Sequence, residues 1–362
     1  MRLDHLWLTD FRGYRSADVR FAPGLTVVAG SNGQGKTNLL EAVGYLATLD
    51  SFRGSPNEAL IRAGATQAVV RGAGERDGRE LLLEAEITAS GRNRAMVNRQ
   101  PLRRARDLLG ALRVTVFAPD DLALVKGGPG ERRRYLDDVL VAVHPRNDAL
   151  RSDLDRVLRQ RNSLLKQSGG RLAPDVELTL DVWDTKLASA GEALARARQA
   201  LVGDLAPVLR AAYEDVAGVA VPVGVRYAPP WLDADGGLAA ALLAGRRDDL
   251  RRGVSLIGPH RDDLELTLDG LPARTHASQG EQRSLALALR LAGHHVVTAA
   301  TDTPPVLLLD DVFSELDPDR SDALLAHLPA GQTILSTAAG LPPGAAPELV
   351  VSVREGVATI AR

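Results

Sequence analysis

Residues 30–37 constrain this chain more than any other segment of its sequence. They read Gly-Ser-Asn-Gly-Gln-Gly-Lys-Thr, which matches G-x-x-x-x-G-K-[ST], and they stand between a strand-like run at 25–29 and a helix-like run at 38–49. Glycines let successive backbone N–H groups turn inward on phosphates, Lys36 neutralises the β and γ oxygens, and the Thr37 hydroxyl coordinates Mg²⁺. The pattern predicts a site for ATP and Mg²⁺ whose nucleotide-binding residues are Gly30, Ser31, Asn32, Gly33, Gln34, Gly35, Lys36, Thr37 and Asn38.

A second anchor for the metal follows the apolar run at 306–309, where two acids, Asp310 and Asp311, stand side by side. In isolation, adjacent acids after a strand usually cap the next turn. Beside a phosphate loop they favour another interpretation, in which Asp310 holds Mg²⁺, directly or through water, and Asp311 polarises the attacking water. The predicted catalytic residues are Asp310, Asp311 and Lys36, and the predicted metal ligands are Thr37 and Asp310.

A third motif, Ser278-Gln279-Gly280-Glu281-Gln282, precedes an amphipathic helix and lies between the phosphate loop and the two acids. Ser278 and Glu281 fit the capping box S-x-x-E, which is a sufficient local explanation. A helix N-terminus with a small hydroxyl and a glycine is also an anion site suited to a γ-phosphate, and both interpretations can hold together. The order of motifs along the chain is that of the ABC signature, S-x-G-x-Q.

Composition excludes several kinds of site. The 362 residues include no Cys, which excludes disulfides, thiolate zinc sites, iron–sulfur clusters and a cysteine nucleophile. No run of about 18 apolar residues indicates a membrane span, and the N-terminal residues lack a signal-peptide run. We therefore expect a cytoplasmic, nucleoid-associated protein with no membrane partner.

A formal net charge of −2 gives no overall basic field, so any nucleic-acid surface must be local. Arginines cluster at three places, although solvated helix faces would explain each cluster equally well. The clusters are Arg103, Arg104 and Arg106; Arg132, Arg133 and Arg134; and Arg246, Arg247, Arg251 and Arg252. The candidate DNA contacts taken from them are Arg132, Arg133, Arg134, Arg251 and Arg252.

The sequence between about residues 130 and 205 has the apolar periodicity that is typical of helices. Apolar residues step by three and four from Leu150 to Leu164 and again from Leu180 to Leu201, which is heptad spacing. The Ser168-Gly169-Gly170 turn between the runs predicts an antiparallel hairpin, a short arm whose second run spans roughly 32 Å. The expected domains are residues 1–125 with the phosphate loop, a mostly helical 126–250, and 251–362 with the signature and the acids.

Together the phosphate loop, the signature, the strand with its acids and the D-loop-like Ser314-Glu315-Leu316-Asp317 resemble the SMC/Rad50/RecF branch of the ABC ATPases. Three further stretches, at 32–42, 117–122 and 258–264, are similar to the RecF family itself. The resemblance covers essentially the whole chain. It implies an α/β fold: an ABC-type P-loop ATPase head of two lobes, with mixed sheets and helices, carrying an inserted helical hairpin arm.

The arm separates the RecF family from its relatives. A cohesin-type or Rad50-type protein needs hundreds of heptad residues, and a Rad50 hook needs a Cys pair that this chain lacks. A transporter ATPase needs neither the arm nor the Phe11-Arg12 strand end. Two other interpretations stay open: a transporter's nucleotide-binding subunit, and a structural DNA-binding module whose ATP site is a relic.

The resemblance implies an ATP-dependent homodimer, paired head to tail, in which the signature of one copy covers the ATP of the other. It also implies recombinational repair and replication restart, with recognition of gapped or single-strand/double-strand junction DNA together with RecR, promotion of RecA loading and a functional link to RecO. The residues it assigns are Ser278, Gln279, Gly280, Glu281 and Gln282 as contacts in trans, Ser314 and Asp317 in the D-loop, and Arg12 as a nucleotide contact.

Several positions depart from the wider ABC pattern. Asp311 replaces the usual catalytic Glu, and its shorter side chain predicts slow hydrolysis, because a misplacement of about one ångström costs about a hundredfold. The resemblance implies a weak, DNA-stimulated ATPase. Ser336 stands where transporters carry a switch histidine, and by strand order Pro119-Asp120 takes the place of a Q-loop. The His260-Arg261 pair is either structural or in contact with nucleotide or DNA.

Overall fold

The computed structural model describes residues 1–314, 316–338, 340–341 and 343–361 of the chain. They form two compact units, the first made of residues 1–122, 211–220 and 279–362 and the second of residues 123–210 and 221–278. Within the described ranges, none of the helices combines the length and the apolar character that a membrane span requires.

Strands and helices follow one another in an order that matches most of the predicted elements. The strands are β1 (Arg2–Phe11), β2 (Tyr14–Arg20), β3 (Leu25–Ala29), β4 (Gln67–Arg76), β5 (Arg79–Thr88), β6 (Arg94–Val97), β7 (Gln100–Pro101), β8 (Val114–Phe117), β9 (Val223–Arg226), β10 (Glu265–Leu268), β11 (Leu271–Pro272), β12 (Val306–Asp310), β13 (Thr333–Thr337), β14 (Leu349–Arg354) and β15 (Val357–Ile360). The helices are α1 (Lys36–Thr48), α2 (Asn57–Leu60), α3 (Ala123–Lys126), α4 (Pro129–Val143), α5 (Asp148–Gln167), α6 (Pro174–Ala217), α7 (Gly237–Arg252), α8 (Ala273–His276), α9 (Gln279–Thr301) and α10 (Pro318–Ala326).

Two six-stranded sheets form the first unit. One is antiparallel, in the order β2-β1-β4-β5-β6-β7, and the other runs β15-β14-β3-β13-β12-β8 with parallel pairing from β14 to β8. Helix α1 contacts strands of both sheets, and its buried residues, among them Leu39, Leu40 and Val43, belong to the main apolar core. Because β3 and β12 run parallel with β13 between them, the segments that follow them emerge at the same edge of the sheet.

The predicted helical hairpin is confirmed in the second unit. Helices α5 and α6 flank the 168–170 turn, and Leu165 packs with Leu180 in a buried apolar cluster. Arg161, which occupies a core position of the first heptad run, is fully buried and pairs with Asp184. Helix α6 runs well beyond the predicted heptads at both of its ends.

The expected domain boundary at residue 250 is corrected by this arrangement. Residues 251–278 belong to the second unit, because β10 pairs antiparallel with β9 through Leu266 and Val225 and their neighbours. Residues 211–220, at the end of α6 and just after it, belong to the first unit. Hydrogen bonding between strands far apart in the chain sets these boundaries. Local patterns of apolar residues do not reveal such pairing.

Candidate nucleotide site

The phosphate loop, residues 30–37, joins the end of β3 to the start of α1. Its turn depends on glycine, since Gly33 and Gly35 have positive φ angles of 78° and 110°. Behind it, the Tyr14 hydroxyl donates a hydrogen bond to the Gly35 carbonyl oxygen at 3.0 Å. A β-carbon on residue 35 would approach the Tyr14 hydroxyl oxygen to 2.8 Å, so the loop is fitted to glycine on this side as well.

Thr37 and Asp310 meet at the edge of the parallel sheet. Thr37 Oγ1 donates to Asp310 Oδ1 at 2.9 Å, although the two residues are 273 positions apart in the chain. Ser336, fully buried on β13, donates to the same carboxylate oxygen at 2.7 Å. The structure thus brings together the two side chains predicted to hold the metal and adds a third that was not predicted.

Ser336 also contacts the second acid. The backbone N–H of Asp311 donates to Ser336 Oγ at 3.1 Å, and Asp311 has a positive φ of 50°. A left-handed backbone costs free energy for a residue with a β-carbon, and such strain is concentrated at functional sites. Asp311 Oδ1 is buried and has no hydrogen-bond partner among the described residues. The position of the transporters' switch histidine therefore holds a serine that bridges both acids.

The charges around Asp310 fit a bound cation. Burial raises the pKa of the Asp310 carboxyl, as does the neighbouring Asp311 charge, whereas hydrogen bonds from Ser336 and Thr37 and the charge of Arg53 lower it. A cation relieves both the burial of a carboxylate and the repulsion between two acids. Hydroxyl and carboxylate oxygens suit Mg²⁺, which takes few protein ligands and completes its shell with phosphate oxygens and water. Thr37 and Asp310 therefore fit the metal.

Lys36 is held inside the loop itself. The side chain is 5% exposed, and its ammonium donates to the Ser31 carbonyl oxygen at 3.1 Å. A phosphate oxygen is a better acceptor than this neutral carbonyl, because charge-assisted hydrogen bonds are the stronger ones. Gln34 accepts a hydrogen bond from the Glu355 N–H at 2.6 Å, which ties the loop to the turn of the terminal hairpin.

Arg12 is engaged elsewhere. Its Nε and Nη2 atoms form a bidentate pair with the fully buried Glu41, at 2.8 and 2.7 Å. Further hydrogen bonds go to Ser55 Oγ at 2.6 Å and to the Ala59 carbonyl oxygen at 2.8 Å. Breaking such a pair would leave a buried carboxylate without its counterion. The predicted nucleotide contact of Arg12 is therefore corrected to the bracing of the segment that follows α1.

The signature residues lie at and before the start of α9. Ser278 and Gln279 are exposed, and Gly280 and Glu281 are half-buried, so all four are accessible to a second copy. Gln282 is only 3% exposed. The prediction that Gln282 contacts ATP in trans is corrected, because its side chain lies in the protein interior.

The D-loop residues contact the acids and the next helix. The Ser314 hydroxyl donates to the Asp311 carbonyl oxygen at 2.7 Å. Asp317 is the N-cap of α10 and accepts a hydrogen bond from the Arg320 N–H at 2.9 Å. Glu315, between them, lies outside the described residues. Ser314 therefore connects the D-loop to the strand end that carries Asp310 and Asp311.

Some arginines chosen as DNA contacts are occupied by the protein. Arg132 is 5% exposed and pairs with Asp263 through Nε at 2.7 Å, and Arg246 of the third cluster is equally buried. Arg133 donates to the Asp262 carbonyl oxygen at 2.7 Å, and burial lowers the pKa of its guanidinium. The prediction for Arg132 is corrected, because its side chain is buried and its guanidinium is occupied by Asp263 and by the carbonyl oxygens of Leu124 and Gly127.

Three other arginines keep access to solvent. Arg134 lies 3.8 Å from Asp138, and Arg251 lies 2.8 Å from Asp248, with 72% of the Arg251 side chain exposed. Exposed ion pairs of this kind contribute little and exchange partners readily. Arg252 is exposed as well. Arg134, Arg251 and Arg252 therefore stay candidates for a phosphate-binding surface.

His260 and Arg261 converge on one carbonyl group. His260 Nε2 donates to the Ser255 carbonyl oxygen at 2.9 Å, and Arg261 Nε donates to it at 3.3 Å. Burial lowers the pKa of His260 to about 4, so its imidazole is neutral near pH 7. These contacts favour the structural interpretation of the pair.

An ion pair joins residues 119–122, which include the pair predicted to take the place of a Q-loop, to helix α9. Residues Pro119–Leu122 form a 3-10 turn, in which Asp121 pairs with Arg290 of α9 at 2.6 Å. The Asp121 carboxylate also accepts the Ala118 N–H at 2.9 Å. A displacement of this turn would therefore be transmitted to α9 through an ion pair.

Sequence patterns missed Tyr14, Arg53 and Ser336. Ser336 carried a signal, because its place near the end of β13 was recognised as the switch position. Its hydroxyl, however, was given no role. Tyr14 and Arg53 carried none, since Tyr14 acts through a hydrogen bond to Gly35 and Arg53 through its charge on Asp310, and both partners are distant in the chain.

Comparison with known proteins finds relatives along almost the whole chain. Residues 2–335 match the family described as RecF/RecN/SMC N terminal domain. The chain is 48% identical to the DNA replication and repair protein RecF of Kineococcus radiotolerans, over 94% of this chain and 93% of that protein. It is 49% identical to the protein of the same name from Frankia alni, with the same coverage.

Solved structures agree with these relatives. The structure of the recombination mediator protein RecF-ATP in the RecFOR pathway superposes with a TM-score of 0.91 and 27% identity, over 99% of this chain and 97% of that one. A second solved structure is the Smc head domain from Pyrococcus furiosus, which carries an extended coiled coil and is bound to the C-terminal domain of ScpA. It superposes with a TM-score of 0.57 and 16% identity, over 99% of this chain and 95% of that one, which indicates a shared fold. The ABC-type head predicted from the motifs is confirmed.

Proposed function

Because this chain belongs to the RecF family of DNA replication and repair proteins, we propose that it is an ATP-dependent DNA-binding protein of recombinational repair and replication restart. The observation that carries the proposal is the contact between Thr37 and Asp310. It assembles a nucleotide anchor and a metal anchor within one unit from opposite ends of the sequence.

In the proposed reaction, Lys36 and the backbone N–H groups of the phosphate loop hold the β- and γ-phosphates. Thr37 and Asp310 hold Mg²⁺, which when bound neutralises charge on the phosphate oxygens. Asp311 accepts a hydrogen bond from the attacking water and aligns it with the γ-phosphorus. Aspartate reaches less far than glutamate, so we propose a weak ATPase that DNA stimulates.

Nucleotide state would control the association of two copies. Paired head to tail, each copy presents Ser278, Gly280 and the N-terminus of α9 to the γ-phosphate held by the other copy. Hydrolysis removes that phosphate and with it the contact, so the dimer dissociates. The exposure of the signature residues other than Gln282 supports this role.

The DNA substrate is proposed to be gapped DNA or a junction between single and double strands, recognised together with RecR. Bound there, the dimer would promote RecA loading, with RecO as a functional partner. Membership of the family and the likeness to a recombination mediator of the RecFOR pathway support this assignment. Binding through phosphate contacts would be steeply salt-dependent and weakly sequence-specific.

Replacing Lys36 by alanine tests the ATP switch. We expect ATP affinity to fall about a hundredfold, because a charge-assisted hydrogen bond contributes about 1.5–3 kcal/mol. Light scattering should then show that ATP increases the mass of the wild-type protein but not that of the Lys36→Ala protein. Binding to gapped and to uniform duplex DNA is measured in parallel, with and without ATP and RecR.

Lys126→Ala is the matched control, because Lys126 lies on α3, in the second unit. It should keep both the ATP-dependent mass and the ATP-dependent DNA binding. The proposal fails if wild-type protein gains neither mass nor DNA affinity with ATP, or if Lys36→Ala behaves like the wild type.

Arg251 and Arg252 are expected to contribute to the DNA surface. Replacing both by alanine should weaken DNA binding to the same extent for all sequences. The slope of log affinity against log salt concentration should become shallower by about 0.9 for each phosphate that the variant no longer neutralises. The measurement is a salt series with ATP present. Arg94→Ala with Arg99→Ala, exposed arginines of the first unit, is the control. An unchanged slope would remove Arg251 and Arg252 from the surface.

A further inference from the structure

Arg320 lies directly against the signature glycine. A β-carbon built on Gly280 would stand 2.8 Å from both terminal nitrogens of the Arg320 guanidinium and 3.1 Å from its central carbon. A side chain at residue 280 would therefore displace the guanidinium from this position. The guanidinium therefore covers the backbone at the start of the signature helix α9.

The same arginine is tied to the D-loop. Its Nη1 atom donates to Asp317 Oδ2 at 2.5 Å, and its backbone N–H donates to Asp317 Oδ1 at 2.9 Å. The backbone hydrogen bond is the main cause of the lowered pKa of Asp317, and the charge of Arg320 adds to it. One residue thus joins the D-loop, through Asp317, to the signature, through Gly280.

Arg320 keeps donors for another partner. Its side chain is 30% exposed, and Nη2 has no acceptor among the described residues. Asp317 occupies Nη1. Burial raises the pKa of the Tyr213 phenol, the Glu281 charge adds to this rise and the Arg320 charge opposes it, so both charges lie near Tyr213. Nη2 therefore offers N–H groups beside Gly280 that neither acid accepts in this structure.

We propose that Arg320 is a residue of the ATP site formed in trans, where Nη2 donates to the γ-phosphate held by a second copy while Nη1 keeps Asp317. The inference rests on the ATP-dependent dimer proposed above. A guanidinium next to a helix N-terminus suits a phosphate, because backbone N–H groups and charged N–H groups then converge on one anion. Loss of the γ-phosphate would release Arg320 and, through Asp317, the D-loop.

The first test separates ATP binding from dimerisation. For Arg320→Ala we expect the ATP affinity of dilute, monomeric protein to stay within about twofold, and the ATP-dependent dimer to weaken about ten- to a hundredfold, the range of one charge-assisted hydrogen bond. Arg320→Gln, which can still donate to Asp317, should weaken the dimer to a similar extent. Asp322→Asn, an exposed residue of the same helix, should leave it unchanged.

The second test asks in which copy Arg320 acts. Lys36→Ala protein lacks ATP but keeps Arg320, whereas Arg320→Ala protein binds ATP but lacks the guanidinium. Mixed together, they form one complete site if Arg320 acts in trans, so with ATP the guanidinium of the Lys36→Ala copy should tighten the heterodimer. The mixture of Arg320→Ala with a Lys36→Ala/Arg320→Ala double variant should show no such gain.

Each outcome decides between the proposals. Absence of an ATP-dependent dimer in the wild type overturns the proposed control of dimerisation by ATP, and the role of Arg320 in trans with it. If the wild type dimerises and Arg320→Ala dimerises equally well, or if the single-variant mixture gains no more than the mixture with the double variant, only the role of Arg320 in trans is overturned.

Discussion

Replacing Arg161 by methionine is expected to lower the free energy of unfolding by about 3–5 kcal/mol, the cost of breaking a buried ion pair from one side. Arg161 has no exposed surface, and its guanidinium binds Asp184 at 2.7 Å, Asp249 at 2.7 Å and Ser255 Oγ at 2.8 Å. Methionine fills much of the same volume but leaves the fully buried Asp249 carboxylate without its cation, whereas Asp184 keeps its ion pair with Arg246 at 2.6 Å. The loss therefore comes from uncompensated charge more than from a cavity.

Urea-induced unfolding at neutral pH measures this change. Arg159→Met, two residues earlier on the exposed side of α5, is the matched control. It should change the free energy of unfolding by less than about 0.5 kcal/mol. Adding Asp249→Asn to the Arg161 variant should recover part of the loss, because the carboxylate that has lost its cation is then neutral. A decrease of less than about 1 kcal/mol in the free energy of unfolding of Arg161→Met would contradict the stabilising role given to the ion pairs of Arg161.

Replacing Asp311 by asparagine is expected to slow ATP hydrolysis by about a hundredfold or more while ATP affinity changes little, since general-base groups contribute about 10²–10⁴ in rate. Asparagine has the same shape and tolerates the positive φ of this position, so the backbone should stay as it is. The hydrogen bond from the Asp311 N–H to Ser336 is also kept. With hydrolysis slowed, the ATP-bound dimer should live correspondingly longer.

Phosphate release in single-turnover reactions and the decay of the dimer after dilution measure these two effects. Asp302→Asn is a close control, because Asp302 is exposed on the loop before β12 and shares the φ of 50°. Near wild-type hydrolysis by Asp311→Asn would assign the water-positioning role to another group.

The parts of the site that follow from local pattern could be predicted from the sequence. A glycine-rich loop between a strand and a helix, and acids after an apolar run, are explained by neighbouring residues alone, and β3 begins and ends where it was predicted. The contact between Thr37 and Asp310 also follows, because the chemistry of one motif requires the other.

The arginines show why the rest could not be predicted. Arg132 and Arg251 stand in similar basic runs, yet one is 5% exposed and the other has a side chain that is 72% exposed. The difference lies in Asp263, 131 positions from Arg132, which supplies a counterion at 2.7 Å. Sequence spacing reveals charge density, whereas burial depends on acids that only the fold brings close.

Arg12 was misassigned for the same reason. Its place at a strand end near the phosphate loop suggested a nucleotide contact, and its buried partner Glu41 was read only as part of a helix. An acid on the buried face of α1 was the available signal, because a carboxylate without exposed surface requires a cation nearby.

The position of β3 between β13 and β14 has a consequence for how the chain matures. Both neighbours of this strand are made more than 300 residues after it, so on the ribosome β3 waits with its hydrogen-bonding edges open until the last tenth or so of the protein has emerged. A chain broken off before Thr333 carries the whole glycine-rich motif but no sheet to hold it. Nucleotide binding is therefore expected only after β13 and β14 have been made, and until then the edges of β3 are open to pairing with other chains.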